Sequence, residues 1–191
     1  MVMGFVDWQG CIVIINNIFL FNKSKIYFMN MVSTVLHKLF NKLFSIDVKI
    51  KVLPHARTLP IPRYMSDGAA GFDLYAAIAD QITIPPFETR LIPTGIMIEL
   101  PRGYELQIRP RSGLALNYKV TVLNSPGTID WDYRGEIKVI LINLSNSPFT
   151  IRRGDRIAQA ILSRVYRANL IVSDELSETI RSDKGFGSTG I

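Results

Sequence analysis

From residue 46 onward the sequence predicts an all-β fold, a jelly-roll-like distorted barrel. Short apolar runs with alternating polar residues recur along this part of the chain, as strands with one buried face require. Proline and glycine separate the runs, and strands do not alternate with long helical segments. We therefore expect short antiparallel strands, tight turns and little helix in a body that spans residues 46–172.

The strand pattern is clearest in seven segments. Ala69 to Leu74 adds a probable eighth strand, and the pattern fades after Val172 into a polar, glycine-rich tail. Such a tail is either disordered or ordered by what it binds, so we expect residues 173–191 to form a flexible C-terminal arm. The seven segments are residues 48–53, 81–84, 95–100, 104–108, 136–144, 149–151 and 157–165.

Residues 1–45 have a different composition and are predicted to be an N-terminal extension outside the catalytic fold. The apolar run 11–21 is about half the length that a membrane-spanning helix needs, so no stable span is expected. Residues 32–44 have the spacing of an amphipathic helix, with Ser33 or Thr34 as its N-cap. Two interpretations stay open: a membrane-surface or targeting segment, or a helix lying on the body or dispensable upstream sequence, which we favour.

One cysteine, Cys11, and two histidines, His37 and His55, exclude both a disulfide framework and a zinc site built from soft ligands. A metal ion would have to be hard and bound through oxygen, which indicates Mg²⁺ carried by phosphates. The lack of disulfides also fits the reducing cytoplasm, where we expect the protein.

The net charge of +6 is spread along the chain. Residues 1–50 hold five lysines and two aspartates, 5 − 2 = +3, and the remainder holds 17 basic and 14 acidic residues, again +3. The body has no basic block of the kind that follows a phosphate backbone, so we expect no binding to nucleic acid.

A candidate anion site follows the strand 104–108. Arg111, Ser112 and Gly113 come where a short helix or turn should begin, so a guanidinium, a hydroxyl and free backbone N–H groups converge. A capped turn with a surface arginine is the alternative. Gln159, in the apolar strand 157–165, is a further polar candidate, and a core residue with its hydrogen bonds made inside the protein is the alternative.

The acidic residues of the body offer a candidate base. Residues 124–136 look like a hairpin, on which Asp130 and Asp132 would point one way and Trp131 the other. Two carboxylates beside an aromatic ring suit a water-activating site, although each could be an ordinary surface acid. Asp73 is a lone carboxylate, and Phe186 is a single large aromatic in the arm that suggests a lid.

Together and in this order, these segments closely resemble the five motifs of the trimeric dUTPase family, with RPRSGLA, GTIDWDYRGE and GFGSTG nearly intact. The resemblance covers residues 46–191. It implies a homotrimer with shared active sites that hydrolyses dUTP to dUMP and pyrophosphate with Mg²⁺ as cofactor. This reaction keeps uracil out of DNA and supplies dUMP for thymidylate synthesis.

The resemblance also implies roles for individual residues. Asp130 matches the general base that aligns a water for attack on the α-phosphorus, and Tyr133 matches the ring that packs on the deoxyribose. Asp73 matches the acid that holds Mg²⁺ through a coordinated water. The other matches are the phosphate cradle of Arg111, Ser112, Gly113 and Gln159; the uracil pocket of Asn124, Gly127, Thr128, Ile129 and Lys138; and the closing arm of Arg181, Phe186, Gly187, Ser188 and Thr189.

Two residues of the arm depart from the family pattern, and three other functions are alternatives to dUTP hydrolysis. Ser182 and Lys184 occupy arm positions where the family often has glycine, so the arm could be stiffer. A dCTP deaminase relative would share the fold, but Asp130 followed by Asp-Tyr-Arg-Gly favours the diphosphatase. A nucleotide-sensing binding protein and a purely structural jelly roll are the alternatives from other classes, and the latter leaves the ordered motifs unexplained.

Overall fold

The computed structural model describes Val32 and residues 45–185, and the strands of this part belong to one compact unit that begins at Val48. The low helix content predicted for the body is confirmed, whereas residues 33–44 of the expected amphipathic helix lie outside the described residues. In chain order the elements are β1 (Lys49–Val52), the 3-10 turn Pro54–Ala56, β2 (Phe72–Tyr75), β3 (Ile82–Ile84), β4 (Thr89–Glu99), β5 (Tyr104–Arg109), α1 (Ser112–Tyr118), β6 (Val120–Val122), β7 (Gly127–Ile129), β8 (Glu136–Asn143), β9 (Phe149–Ile151) and β10 (Arg156–Arg164).

The strands form two four-stranded sheets and a two-stranded ribbon, and every pairing between them is antiparallel. One sheet has the order β1-β4-β8-β6, the other has the order β2-β10-β5-β7, and β3 pairs with β9. Neighbours in each sheet are mostly distant in sequence, as in jelly-roll folds, so long connections cross between the sheets. The predicted all-β class is confirmed.

Alternation along the strands builds the core from both sheets. In β8, Ile137, Val139 and Leu141 are buried, while Lys138 between them faces solvent. Leu74 and Leu106 of the other sheet belong to the same buried cluster. Each such side chain stabilises the fold by about 1.5–3 kcal/mol relative to an exposed one. The sheets that carry the polar motifs are therefore held by a continuous apolar interior.

β4 is longer than the sequence indicated, because strand structure begins at Thr89 and not near Gly95. Its first half pairs with β8 up to Pro93, and a bulge then separates Pro93 from Met97. Gly95 lies in this bulge with φ +68°, and the Ala56 methyl group fills the place where its side chain would stand. Proline within a strand is tolerated at a bulge, which is why the run continues through it.

The predicted hairpin at 124–136 is wrong as a pair of hydrogen-bonded strands. β7 pairs with β5, and β8 pairs with β4 and β6, so the two strands that flank Asp130 belong to different sheets. The segment between them is a turn that crosses from one sheet to the other. The pairing partners are distant in sequence, and local patterning could not reveal them.

Candidate active site

Asp73 in β2 anchors a cluster of charged side chains. Its carboxylate oxygens lie 2.9 Å from Nε of Arg111 and 3.0 Å from Nη1 of Arg156, and its side chain is only 11% exposed. Hydrogen bonds between a carboxylate and guanidinium groups are short and about twice as strong as neutral ones. We call Asp73, Arg111, Arg156 and Gln159 the arginine cluster.

Strand register brings Gln159 to this cluster. Gln159 in β10 lies opposite Asp73 on one side and opposite Arg109 on the other. Its Nε2 donates to the carbonyl oxygen of Pro110 at 2.9 Å, which fixes the chain just before Arg111. Three residues that sequence placed in one site, Asp73, Arg111 and Gln159, are therefore brought together.

Ser112 and Gly113 begin α1 directly after the cluster. The first intrahelical acceptor is the Arg111 carbonyl oxygen, bound by the N–H groups of Leu114 and Ala115 at 3.1 Å each. The N–H groups of Ser112 and Gly113 precede that point, where helices leave donors unpaired. A Cβ built on Gly113 meets no atom within 4 Å, so this turn is open to an incoming group.

Arg156 was not assigned a role from sequence. It shares the Asp73 carboxylate with Arg111, and its own carbonyl oxygen accepts a hydrogen bond from Nη1 of Arg111 at 3.2 Å. The strand register shifts between Arg156 and Ala158, which re-aims the side chain at the start of β10. An arginine after a Gly-Asp turn gave too weak a signal, because Asp73 lies 83 residues away.

A groove of about 580 Å³ adjoins the arginine cluster. Apolar side chains from α1 and β9 form much of its wall, and the guanidinium groups stand beside them. This volume is in the range of small-molecule sites. Neither Asp130 nor Tyr133 lines it. The lining residues are Arg111, Leu114, Tyr118, Pro148, Phe149, Thr150, Ile151, Arg152, Asp155, Arg156 and Ile157.

The candidate base is in a different setting. Asp130 is exposed at the end of β7, and its carbonyl oxygen accepts a hydrogen bond from the N–H of Tyr133 at 3.1 Å. Trp131 is partly buried and packs against the core. Tyr133 is 42% exposed, and its hydroxyl donates to the carbonyl oxygen of Glu136 at 3.0 Å. We call residues 130–135 the base segment.

The residues assigned to a uracil pocket lie around β7. The Asn124 side chain folds over Gly127, since a Cβ built there would be 3.2 Å from its Nδ2 atom. Thr128 is exposed and Ile129 packs against the core. Lys138 is exposed on β8 opposite Pro93 of β4.

The arginine cluster and the base segment are far apart within one chain. Ile129 pairs with Leu106, which places Asp130 beside Glu105, whereas the row of Asp73 and Gln159 runs through Arg109. The two rows differ by four residues of strand, about 13 Å, and β2 lies three strands from β7, about 14 Å. The separation is therefore on the order of 20 Å.

The described part of the arm is exposed and irregular. Nε of Arg181 donates to the carbonyl oxygen of Lys184 at 3.0 Å. Ser182 has φ +46°, the left-handed conformation that glycine adopts without strain, at one of the two positions where glycine was expected. Phe186, Gly187, Ser188 and Thr189 lie outside the described residues.

The part of the chain that the structure describes holds neither a preformed metal cage nor a membrane-spanning helix. Across 45–185, no three His, Cys, Asp or Glu side chains are grouped closely enough to hold a metal ion. A helix of the length and apolarity needed to cross a membrane was not found in the described part of the chain either.

Comparison with known proteins identifies the family. A sequence model of the dUTPase family matches residues 57–190. The chain belongs to the dUTPase family. The deoxyuridine 5'-triphosphate nucleotidohydrolase of Caldanaerobacter subterraneus is 61% identical over 147 residues, which are 77% of this chain and 99% of that relative. The protein of the same name from Neorickettsia sennetsu is 58% identical over 142 residues, 74% and 95% of the two chains.

Solved dUTPase structures have the same fold. The dUTPase of Staphylococcus bacteriophage 80alpha with dUpNHpp matches with a TM-score of 0.69 and 22% identity, over 77% of this chain and 100% of that one. A mutant dUTPase from phage phi11 of S. aureus, described with a structural Mg(II) ion, matches with a TM-score of 0.62 and 18% identity, over 70% and 100%. The jelly-roll-like fold expected from sequence is confirmed.

Proposed function

We propose that this chain hydrolyses dUTP to dUMP and pyrophosphate in a homotrimer whose active sites are shared between copies. One copy supplies the arginine cluster, a second supplies the base segment and a third supplies the arm. The observation that carries the proposal is the separation of about 20 Å between cluster and base within one chain. A general base must come within hydrogen-bond reach of the water it activates, about 3 Å, so the base must come from another copy.

The arginine cluster is the triphosphate cradle. The described hydrogen bonds of Arg111 use two of its N–H donors, at Nε and Nη1, and a guanidinium has five. Three donors are therefore left for phosphate oxygens, beside the N–H groups of Ser112 and Gly113. Gln159 supports the turn through Pro110. Charge-assisted bonds of this kind stabilise the negative charge that develops as phosphorus is attacked.

Asp130 is the base. Its exposed carboxylate takes a proton from a water molecule as the water oxygen bonds to the α-phosphorus. The bond from that phosphorus to the oxygen bridging to the β-phosphorus breaks, and the electron pair leaves with pyrophosphate. The products are dUMP and pyrophosphate.

Magnesium fits the residues present, provided that it arrives on the phosphates. The described residues offer no cage of three ligands, but Mg²⁺ is usually held by one or two carboxylates, several waters and substrate phosphates. Asp73 would hold it through a water, with Gln159 nearby. When bound, the ion neutralises charge on the phosphates and orients them for in-line attack. Asp73 meanwhile keeps Arg111 in place through its ion pair.

Residues around β7 hold the nucleoside. The Asn124 amide, already folded over Gly127, and the backbone of the next two residues present hydrogen-bonding groups to the uracil edge. A pocket matched to this edge rejects cytosine by leaving its donors mismatched. Tyr133 packs on the deoxyribose. The pocket residues are Asn124, Gly127, Thr128, Ile129 and Lys138.

The arm closes over the bound nucleotide. Large apolar side chains in the arm and just before it are strongly exposed in the single chain, with Ile180 at 102% and Val172 at 98%, which favours their burial against another copy. Arg181, Ser188 and Thr189 then reach the γ-phosphate, and Phe186 with Gly187 covers the uracil.

The cytoplasm is the compartment that suits this reaction and a chain with one cysteine.

Mixing two inactive variants tests the shared site. Asp130→Asn lacks the base and Arg111→Ala lacks a cradle group, so each homotrimer should be inactive. If equal amounts are unfolded and refolded together, about a quarter of the sites combine an intact cradle with an intact base. Pyrophosphate release from dUTP should return to about a quarter of the wild-type value. Refolded mixtures with no recovered activity, but with trimers of mixed composition, would contradict the proposal.

A further inference from the structure

Tyr133 packs closely against Gly135 and fills the space where a side chain at position 135 would stand. A Cβ built on Gly135 would overlap the Oη and Cζ atoms of Tyr133 and lie 2.9 Å from Cε2. Real Cβ atoms do not approach other atoms so closely, so any side chain at 135 would force the ring out of its place. Gly135 does not have a positive φ, and its backbone conformation is therefore open to alanine.

Two hydrogen bonds hold Tyr133 in this position, one from its hydroxyl and one from its backbone. The Tyr133 hydroxyl donates to the carbonyl oxygen of Glu136 at 3.0 Å, and the Tyr133 N–H donates to the carbonyl oxygen of Asp130 at 3.1 Å. The hydroxyl is thus occupied within the chain. With its donor used in this way, Tyr133 meets a sugar through the position of its ring face and does not donate a hydrogen bond to it.

Glu136, whose carbonyl oxygen accepts the hydrogen bond from the Tyr133 hydroxyl, is itself held by hydrogen bonds of its side chain. Its Oε1 accepts hydrogen bonds from the N–H of Gly95 at 2.8 Å and shares a bond with Nε2 of His55 at 3.0 Å. Its side chain is 16% exposed. Glu136, which accepts the hydrogen bond from the ring, is therefore connected to the bulge of β4 and to the 3-10 turn. How far the ring projects from the chain, its depth, depends on how closely it approaches Gly135.

We propose that Gly135 is a specificity-determining residue that sets the depth of the Tyr133 ring, so that the site admits deoxyribose and excludes ribose. This inference rests on the proposed function. With glycine at position 135, the Tyr133 ring stays against the chain and the position of its outer face is fixed. With a methyl group there, the ring must leave, the bond to Glu136 breaks, and the ring no longer excludes a 2'-hydroxyl.

Gly135→Ala tests the inference through the ratio of kcat/KM for dUTP to that for UTP. We expect this ratio to fall at least about tenfold, the size of effect that a misplaced contact in a specificity pocket has. Gly68→Ala is the matched control, since a Cβ at Gly68 meets nothing within 4 Å, and it should leave the ratio unchanged. A ratio within twofold of the wild type in Gly135→Ala would overturn the inference.

A double-mutant cycle separates this role from general damage. In a Tyr133→Ala background the space beside residue 135 is free, so adding Gly135→Ala should not change the ratio further. A further fall of the same size as in the wild-type background would contradict action through the ring.

Tyr133→Phe keeps the inference testable if Gly135→Ala does not fold. This variant keeps Gly135 but removes the hydrogen bond to Glu136 that holds the ring against it, so the ring can move away from residue 135 and the ratio should fall about two- to tenfold, the value of one hydrogen bond. An unchanged ratio would overturn the inference. Wild-type protein without dUTP hydrolysis would overturn the proposed function as well. A wild type that prefers dUTP, together with a Gly135→Ala ratio within twofold of the wild-type ratio, would overturn this inference alone.

Discussion

The arginine cluster and the base segment differ in how the chain itself holds their charged groups. In the cluster, the Asp73 carboxylate is nearly buried between two guanidinium groups. In the base segment, Asp130 is exposed, and the described hydrogen bonds of that residue involve only its backbone. Preorganised charges suit the binding of an anion, whereas a base must stay free to meet water. The difference predicts that substitutions in the two regions change different quantities.

Asp130→Asn should have the largest effect and should confine it to turnover. We expect kcat for dUTP to fall by about 10²- to 10⁴-fold, the contribution of a general base. Because the side chain is exposed, the free energy of unfolding should change by less than about 0.5 kcal/mol. Asp132→Asn is the matched control, an exposed acid two residues away, and should retain kcat. Equal losses in both variants would remove Asp130 from its role.

Asp73→Asn should act on both binding and stability. It leaves two guanidinium groups without their carboxylate, so we expect a higher KM and a loss of about 2 kcal/mol in the free energy of unfolding. Denaturant titration and steady-state kinetics measure these changes. Glu88→Gln, which removes an exposed ion pair to Arg90, should change neither. A stability loss in Glu88→Gln as large as in Asp73→Asn would refute the importance of burial.

The smallest effect is expected at the exposed pair that joins β1 to β4. The Lys49 ammonium lowers the pKa of the Glu99 carboxyl, first through their hydrogen bond and then through its charge. A depressed pKa in the folded state gives stability above the unfolded pKa, which is lost as the pH falls through the folded value. Lys49→Gln should therefore lower Tm slightly at pH 7 and not at all at low pH. If the difference in Tm between the wild type and Lys49→Gln grew as the pH fell, the predicted direction would be wrong.

The sequence predicted the strands well where alternation is local, as in β5, β8 and β10. It failed where the outcome depends on distant partners. The bulge of β4 is stabilised by Ala56 and Glu136, which no local pattern connects to Gly95. The supposed hairpin is a crossover because β7 finds β5 as its partner.

The site was predicted from motif resemblance more fully than from residue chemistry. Asp73, Arg111 and Gln159 meet as expected, but the second arginine on Asp73 was missed because its partner is far along the chain. Gly135 was missed because a glycine gives no chemical signal by itself. Its importance comes from the ring that covers it.

The pairing of Asp73 with Arg111 and Arg156 means that the two guanidinium groups have a counter-ion supplied by the chain itself. A phosphate group therefore binds through the donors that Asp73 leaves free and does not have to displace the carboxylate. A polyphosphate chain has enough oxygens to use the spare donors of Arg111 while the carboxylate remains. In the proposed cradle, a polyphosphate therefore gains more contacts than a single phosphate does.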